Sequence, residues 1–188
     1  MKNSQVNRAN RSRRNNAAGH HFEDYIMGGC RYYEGEGMAK IQKTPEPFRT
    51  IRKYRDGTAT VRFIGNAEPD YIGCEKDGTL IVFEAKKTMT DKMPQSVVTP
   101  HQWNALDKYH ELGANAAVCV GIKDDTFWID WFIWKHMKEL FGRKYLTAED
   151  IQPFKVQFNG NILFLDPVDA DAYMKELNRL FYMLHPED

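Results

Sequence analysis

Apolar residues along this 188-residue chain recur with two periods, and the switches between them mark out its elements. Phe22, Ile26, Cys30 and Tyr33 are spaced for one face of a helix over 20–34, which Gly28-Gly29 weakens. A short strand over 39–42 follows. Prolines 45 and 47 exclude a long helix from Lys43 to Arg55. Beyond Asp56-Gly57 the residues Thr58 to Ile64 alternate as a strand does, so 43–65 reads as a hairpin-like protrusion. Tyr71 to Cys74 and Leu80 to Lys86 flank a second turn, Asp77-Gly78, and predict adjacent antiparallel strands.

Residues 87–98 are polar without a period and predict a mobile loop. Thr99 then stands as a helix N-cap, with Pro100 in the first position and Gly113 at the close, and Trp103, Leu106 and His110 form an inward stripe. Ala114 to Ile122 and Thr126 to Trp134 are apolar runs that predict buried strands, the second interrupted only by Asp130. A helix over 135–141 and a small hairpin across Asn159-Gly160 come next. Ala170 to Leu184 closes the chain as an amphipathic helix. The sum is an α/β domain over 20–188, with a central mixed sheet (strands near Ile72, Phe83, Val118 and Phe132) flanked by helices.

Composition adds a core and an asymmetry. Hydrophobic content of 42% with four tryptophans can fill one domain. The formal charge is zero, yet residues 1–20 carry Lys2, Arg8, Arg11, Arg13 and Arg14 and no acid. With no periodicity, residues 1–19 predict a disordered basic arm in which Arg11, Arg13 and Arg14 meet a phosphate backbone. Arg49, Arg52, Lys53, Arg55 and Arg62, interleaved with Phe48, Ile51 and Tyr54, make the protrusion a second candidate DNA contact, although an ordinary charged surface hairpin has the same look. Three dispersed cysteines without a C-x-x-C pair argue for reduced thiols rather than zinc. No segment has the length or apolarity of a leader or a membrane span, so a cytoplasmic protein is expected.

The chemistry gathers around the second hairpin. Pairing its strands brings Asp70 close to Glu84, and alternation puts Glu84 and Lys86 on one face with Ala85 on the other. Two carboxylates and an ammonium at one strand end could hold Mg²⁺ and stabilise charge at a phosphate in transit. Glu-x-Lys alone is common. Its weight here comes from the apolar run before it, because buried strands seldom turn an acid and a base inward without use. Glu23, one position off the helical stripe, could reach a metal-bound water or be solvated.

Glutamate in an N-terminal helix, Pro-Asp, a strand ending Glu-Ala-Lys, and His-Gln opening a helix together resemble the PD-(D/E)xK nuclease fold. More closely, F-E-D, K-x-P-E-P before a basic protrusion, P-D-Y-x-G, F-E-A-K and H-Q before an apolar strand resemble the RecU family of Holliday-junction resolvases, over roughly 19–134. The resemblance implies a restriction-endonuclease-like sheet and a homodimeric endonuclease, dependent on Mg²⁺ (or Mn²⁺), acting on branched, four-way DNA. It would make Asp70 and Glu84 metal ligands, put Gln102 in the metal shell, give Lys86 the transition-state charge, and turn 43–65 into a stalk entering the junction. Glu68, where the family carries threonine, would be a third carboxylate facing the same way as Asp70 and a further metal ligand. Two other functions use the same residues: a nuclease of this superfamily cutting linear duplex, and a non-catalytic DNA-binding recombination factor.

Overall fold

Val82 and Phe83, both fully buried, point to opposite faces of one strand, and the fold is built outward from that strand. The computed structural model describes residues 2–65 and 69–186, with side chains from Gly19 onward. A long helix, α1 (Lys2–Gly35), is followed by β1 (Ala39–Lys43), a separate hairpin of β2 (Phe48–Lys53) and β3 (Ala59–Phe63), then β4 (Tyr71–Glu75) and β5 (Leu80–Thr88). Next come β6 (Met93–Pro94), α2 (Pro100–Glu111), β7 (Asn115–Ile122), β8 (Asp125–Asp130), α3 (Trp131–Lys135), α4 (Met137–Phe141) and β9 (Tyr145–Leu146). The chain ends with β10 (Val156–Phe158), β11 (Ile162–Pro167) and α5 (Ala170–Leu184).

Five strands form the central sheet in the order β1-β4-β5-β7-β8. It is mixed: β5 and β7 run parallel, and the other neighbours are antiparallel. The parallel pair needs a crossover, which α2 supplies. One face buries Phe83, Ala117, Cys119 and Trp128 against Phe22, Ile26, Cys30 and Tyr33 of α1 and against Phe164 of β11. The other buries Val82, Val118 and Val120 against Leu106 of α2, Trp131 and Trp134 of α3, and Leu180 of α5. The expected α/β architecture, a central mixed sheet flanked by helices with the basic hairpin standing off it, is the one observed. No helix among the described residues is long and apolar enough to cross a membrane.

Gly28 and Gly29, which weaken α1 as an isolated helix, are what let it lie on β11. A Cβ at Gly28 would run into the Asn161 side chain, and one at Gly29 into the Ile162 carbonyl. Gly29→Ala should therefore destabilise the protein by about 1–3 kcal/mol, although alanine favours an isolated helix, and a denaturant melt against wild type measures this.

Three expectations are corrected. The first helix begins at Lys2 rather than at His20; no proline or glycine lies between Lys2 and Ala18 to stop it. The Thr126 to Trp134 run is not one strand: β8 stops at Asp130, and the region of Phe132 is helical. Helical spacing brings the Trp131 indole N–H (2.9 Å) and the Lys135 ammonium (2.6 Å) to the same oxygen, Asp107 Oδ1. Residues 87–98 are built into the fold rather than loose. There β5 continues to Thr88, β6 pairs with β9, Met93 and Val98 are buried, and buried Gln95 donates to the Trp134 carbonyl at 2.7 Å.

Candidate active site at the end of the β4–β5 hairpin

The β4–β5 turn forms as its residues dictate. Gly78 takes a φ of +94°, and the Asp77 carboxylate accepts the Thr79 N–H at 2.9 Å. The resulting register places Tyr71 opposite Phe83, so Asp70 and Glu84 are neighbours across the pair. Each acid is pinned by a backbone N–H of the facing segment: Ala85 N–H donates to Asp70 Oδ2 (3.1 Å), and Asp70 N–H donates to Glu84 Oε1 (3.3 Å). The Lys86 ammonium lies 2.8 Å from Glu84 Oε2 and 3.8 Å from Asp70 Oδ2. Acid, acid and base thus meet at one strand end.

Glu84 is wholly buried. Burial first, and then the Asp70 charge, raises its pKa from the ordinary 4.5 to about 8, against the pull of Lys86. Two carboxylates sharing one ammonium in a dry setting leave negative charge poorly balanced, which a divalent cation would relieve. The donors at this point are hard oxygens, and among the described residues no three His, Cys, Asp or Glu side chains gather around one point. This set fits Mg²⁺ or Mn²⁺ with most of its shell left to water and phosphate, and does not fit zinc.

Gln102 reaches the cluster from α2, and the helix cap orients it. Thr99 and Gln102 form a capping box: the Thr99 N–H donates to Gln102 Oε1 (3.1 Å), and Thr99 Oγ1 accepts the Gln102 backbone N–H. Because a backbone N–H is always a donor, the amide oxygen must face the cap and the NH₂ must face Glu84, where Nε2 lies 2.6 Å from Oε2. Gln102 is therefore placed as a donor to Glu84, beside the carboxylates whose metal shell the resemblance assigns it to. Thr99→Val should slow turnover about tenfold by freeing this amide, and Thr99→Ser should restore it. Steady-state kinetics of the two variants decide the point.

Glu23 stands at the same end of the sheet but is engaged elsewhere. Its carboxylate accepts from Lys43 at 2.6 Å. Lys43 pairs in register with Tyr71, and the next residue, Thr44, donates its N–H to the Asp70 carbonyl at 2.9 Å. Sequence reasoning does not single out Lys43 as a neighbour of the site; its strand register with Tyr71 is the signal that could have found it. Glu68 lies outside the described residues, as do the side chains of Arg11, Arg13 and Arg14.

The β2–β3 hairpin stands apart, with every residue of β2 exposed. Its register sets Arg49 opposite Arg62 and Phe48 opposite Phe63. A bulge between Thr50 and Arg52 shifts the phase, so Arg52, opposite Thr60, joins Arg49 and Arg62 on one face while Thr50 and Val61 stay with the phenylalanines. The Arg52 guanidinium lies 5.3 Å over the Tyr54 ring, whose hydroxyl meets the Thr60 hydroxyl at 2.9 Å. Lys53 falls opposite Ala59 on the apolar side, and Arg55 precedes the Asp56-Gly57 turn.

A mixed sheet that gathers two carboxylates, a lysine and a helix-capping glutamine at the end of a central strand defines an α/β protein equipped for acid–base or metal-assisted chemistry. The RecU family, Recombination protein U, matches residues 17–170, and the chain belongs to that family. No curated protein matches it. The 1.6 Å resolution structure of Archaeoglobus fulgidus Hjc, a Holliday junction resolvase from an archaeal hyperthermophile, is similar with a TM-score of 0.43 and 10% identity. That match covers 71% of this chain and 92% of the Archaeoglobus chain, and is too distant to carry a functional argument.

Proposed function

We propose that this protein is a structure-selective, metal-dependent endonuclease that resolves four-way DNA junctions by phosphodiester hydrolysis during recombination and repair. The observation that carries this reading is the Asp70–Glu84–Lys86 cluster, bonded together around the buried Glu84, in a chain of the Recombination protein U family. Asp70 and Glu84 would hold Mg²⁺ or Mn²⁺, which when bound supplies positive charge to the scissile phosphate and acidifies a water.

The chain's own residues do the rest. Lys86, only partly exposed, offers its ammonium to the phosphate oxygen on which charge builds. Gln102 and Lys86 both donate to Glu84 Oε2 and hold its carboxylate in one orientation. Glu23, paired with Lys43, stands close enough to the sheet end to orient a water when that pair opens. The hairpin over 43–65 supplies the contact that tells a junction from a duplex, its Arg49, Arg52 and Arg62 face meeting phosphates, with Lys53 and Arg55 adding charge. Resolution needs two matched incisions, so the working form is a homodimer in the cytoplasm, with a single nuclease domain over 20–188 as the unit.

Cleavage of an end-labelled four-way junction in Mg²⁺, Mn²⁺, Ca²⁺ and EDTA tests this reading. Cutting in the first two and none in EDTA is expected. Cutting that persists in EDTA would remove the metal from the account, and tight binding without cutting in any ion would favour a non-catalytic DNA-binding factor.

A further inference from the structure

The carboxylate site lies on the α2 face of β5, and a separate cavity of about 360 Å³ opens where the same strand ends on its other face. Lys87, next to Lys86, forms part of its wall, with Phe22 and Tyr25 of α1, Phe158 of β10, and Asp124 and Thr126 around the β7–β8 turn. We propose that this cavity receives an unpaired nucleobase from the DNA strand lying in the site, and so selects which phosphodiester is cut. The proposal rests on the endonuclease reading above.

Four observations carry it. The walls are aromatic and reachable: the Tyr25 and Phe158 rings meet edge to face at 5.3 Å, with 44% and 61% of these residues exposed. Unpaired bases gain their binding from such rings, because every base has a π face. The volume lies at the lower end of the range for small-ligand sites, which suits one planar group.

Charge argues for a base over a phosphate. The Lys87 ammonium is not free to take an anion: it donates to the Lys123 carbonyl and lies 5.3 Å over the Phe22 ring. The Lys123 ammonium is paired with Asp91, and the Asp124 carboxylate repels an anion while it can accept from a base amino group. Gly121 lets Lys87 and Phe22 take these places in the wall, since a side chain there would strike both.

Placement supplies the fourth observation. Lys87 is three residues beyond Glu84 on a strand that rises roughly 3.3 Å per residue, so the cavity begins about 10 Å from the carboxylates. At roughly 3.4 Å per nucleotide along one B-form strand, that is about three nucleotides along a strand threaded over the sheet end. A base drawn into it would fix the register of the phosphate at Glu84 and Lys86.

The test has two arms on the full chain. In the first, deoxynucleoside monophosphates and base-free deoxyribose 5-phosphate are titrated into the protein by NMR, which needs no cleavage. Nucleotides should shift the Tyr25 and Phe158 ring signals, the sugar phosphate should not, and Phe158→Ala should weaken nucleotide binding about tenfold. Equal shifts from both probes, or none, would overturn the proposal whether or not the protein is a nuclease. In the second, cut sites on the junction are mapped for wild type, Tyr25→Ala/Phe158→Ala, and Met89→Trp, which fills the cavity mouth from an exposed position. Both variants should keep total cleavage within about threefold while spreading the cuts over neighbouring phosphodiesters. An unchanged cut pattern in both, with unchanged melting, would overturn base selection by this cavity. Failure of wild type to cut would fall on the endonuclease reading alone, leaving the NMR arm to decide base binding.

Discussion

Replacing Glu84 with glutamine should lower junction cleavage about 10³-fold and at the same time make the metal-free protein more stable at pH 8. The first effect follows from removing one of two oxygen anions at the strand end in a nearly isosteric exchange, which leaves Lys86 and Gln102 in place but takes away the charge that would hold a cation. The second follows from the burial of this carboxyl.

A carboxyl whose folded pKa, about 8, exceeds its ordinary 4.5 binds more protons folded than unfolded between those values. Stability of the metal-free protein therefore falls as pH rises from about 4.5 to 8, and the loss is complete above 8. Glutamine carries no such charge. The variant should lose that pH dependence and melt several degrees higher at pH 8, a gain on the order of 2–4 kcal/mol. Mg²⁺ should raise the wild-type melting temperature at pH 8 and leave the variant almost unmoved. Melts at pH 5 and pH 8, with and without Mg²⁺, measure all of this apart from activity; near-normal turnover in the variant would remove Glu84 from the chemistry.

The second large effect concerns selectivity, which the acid–base cluster cannot supply because every phosphodiester looks alike to it. Shortening residues 50–62 to a tight turn deletes Arg52, Lys53, Arg55 and Arg62 without cutting into the sheet, since β2 pairs only with β3. Junction binding should weaken about 100-fold and duplex binding by much less. The slope of log affinity against log salt should fall by about 0.9 for each phosphate that the shortened chain no longer neutralises. Fluorescence anisotropy on both DNAs across a salt series reads both quantities. Equal loss on the two substrates would mean the hairpin supplies only general electrostatic attraction.

The parts of this molecule written in local sequence were legible before the structure. Asp77-Gly78 and Asp56-Gly57 dictated two hairpins, Thr99-Pro100 dictated the start of α2, and strand alternation put Glu84 and Lys86 on one face. What stayed hidden depends on partners far along the chain. Trp131 to Lys135 has the residues of a strand and is a helix because Asp107, on α2, binds both ends of the turn. The 87–98 stretch lacks a period because its buried residues, Met93, Gln95 and Val98, pack one at a time against separate elements. The direction of the Gln102 amide needed the capping box, and the pairing of Glu23 with Lys43 needed the β1–β4 register. The two-faced hairpin needed its bulge, which no residue in the turn announces.

On the proposed function, one acid–base cluster around the buried Glu84 cuts DNA and the hairpin confines it to branched DNA. A four-way junction and a linear duplex of the same sequence, distinguishably labelled and mixed in equal amounts, measure both in one tube with Mg²⁺ present. Paired nicks on opposite strands of the junction are expected at a rate at least about tenfold above the duplex, with cutting by Glu84→Gln lower by about 10³-fold on both DNAs. Equal rates on the two DNAs by wild type, or near-wild-type cutting by Glu84→Gln, would contradict this.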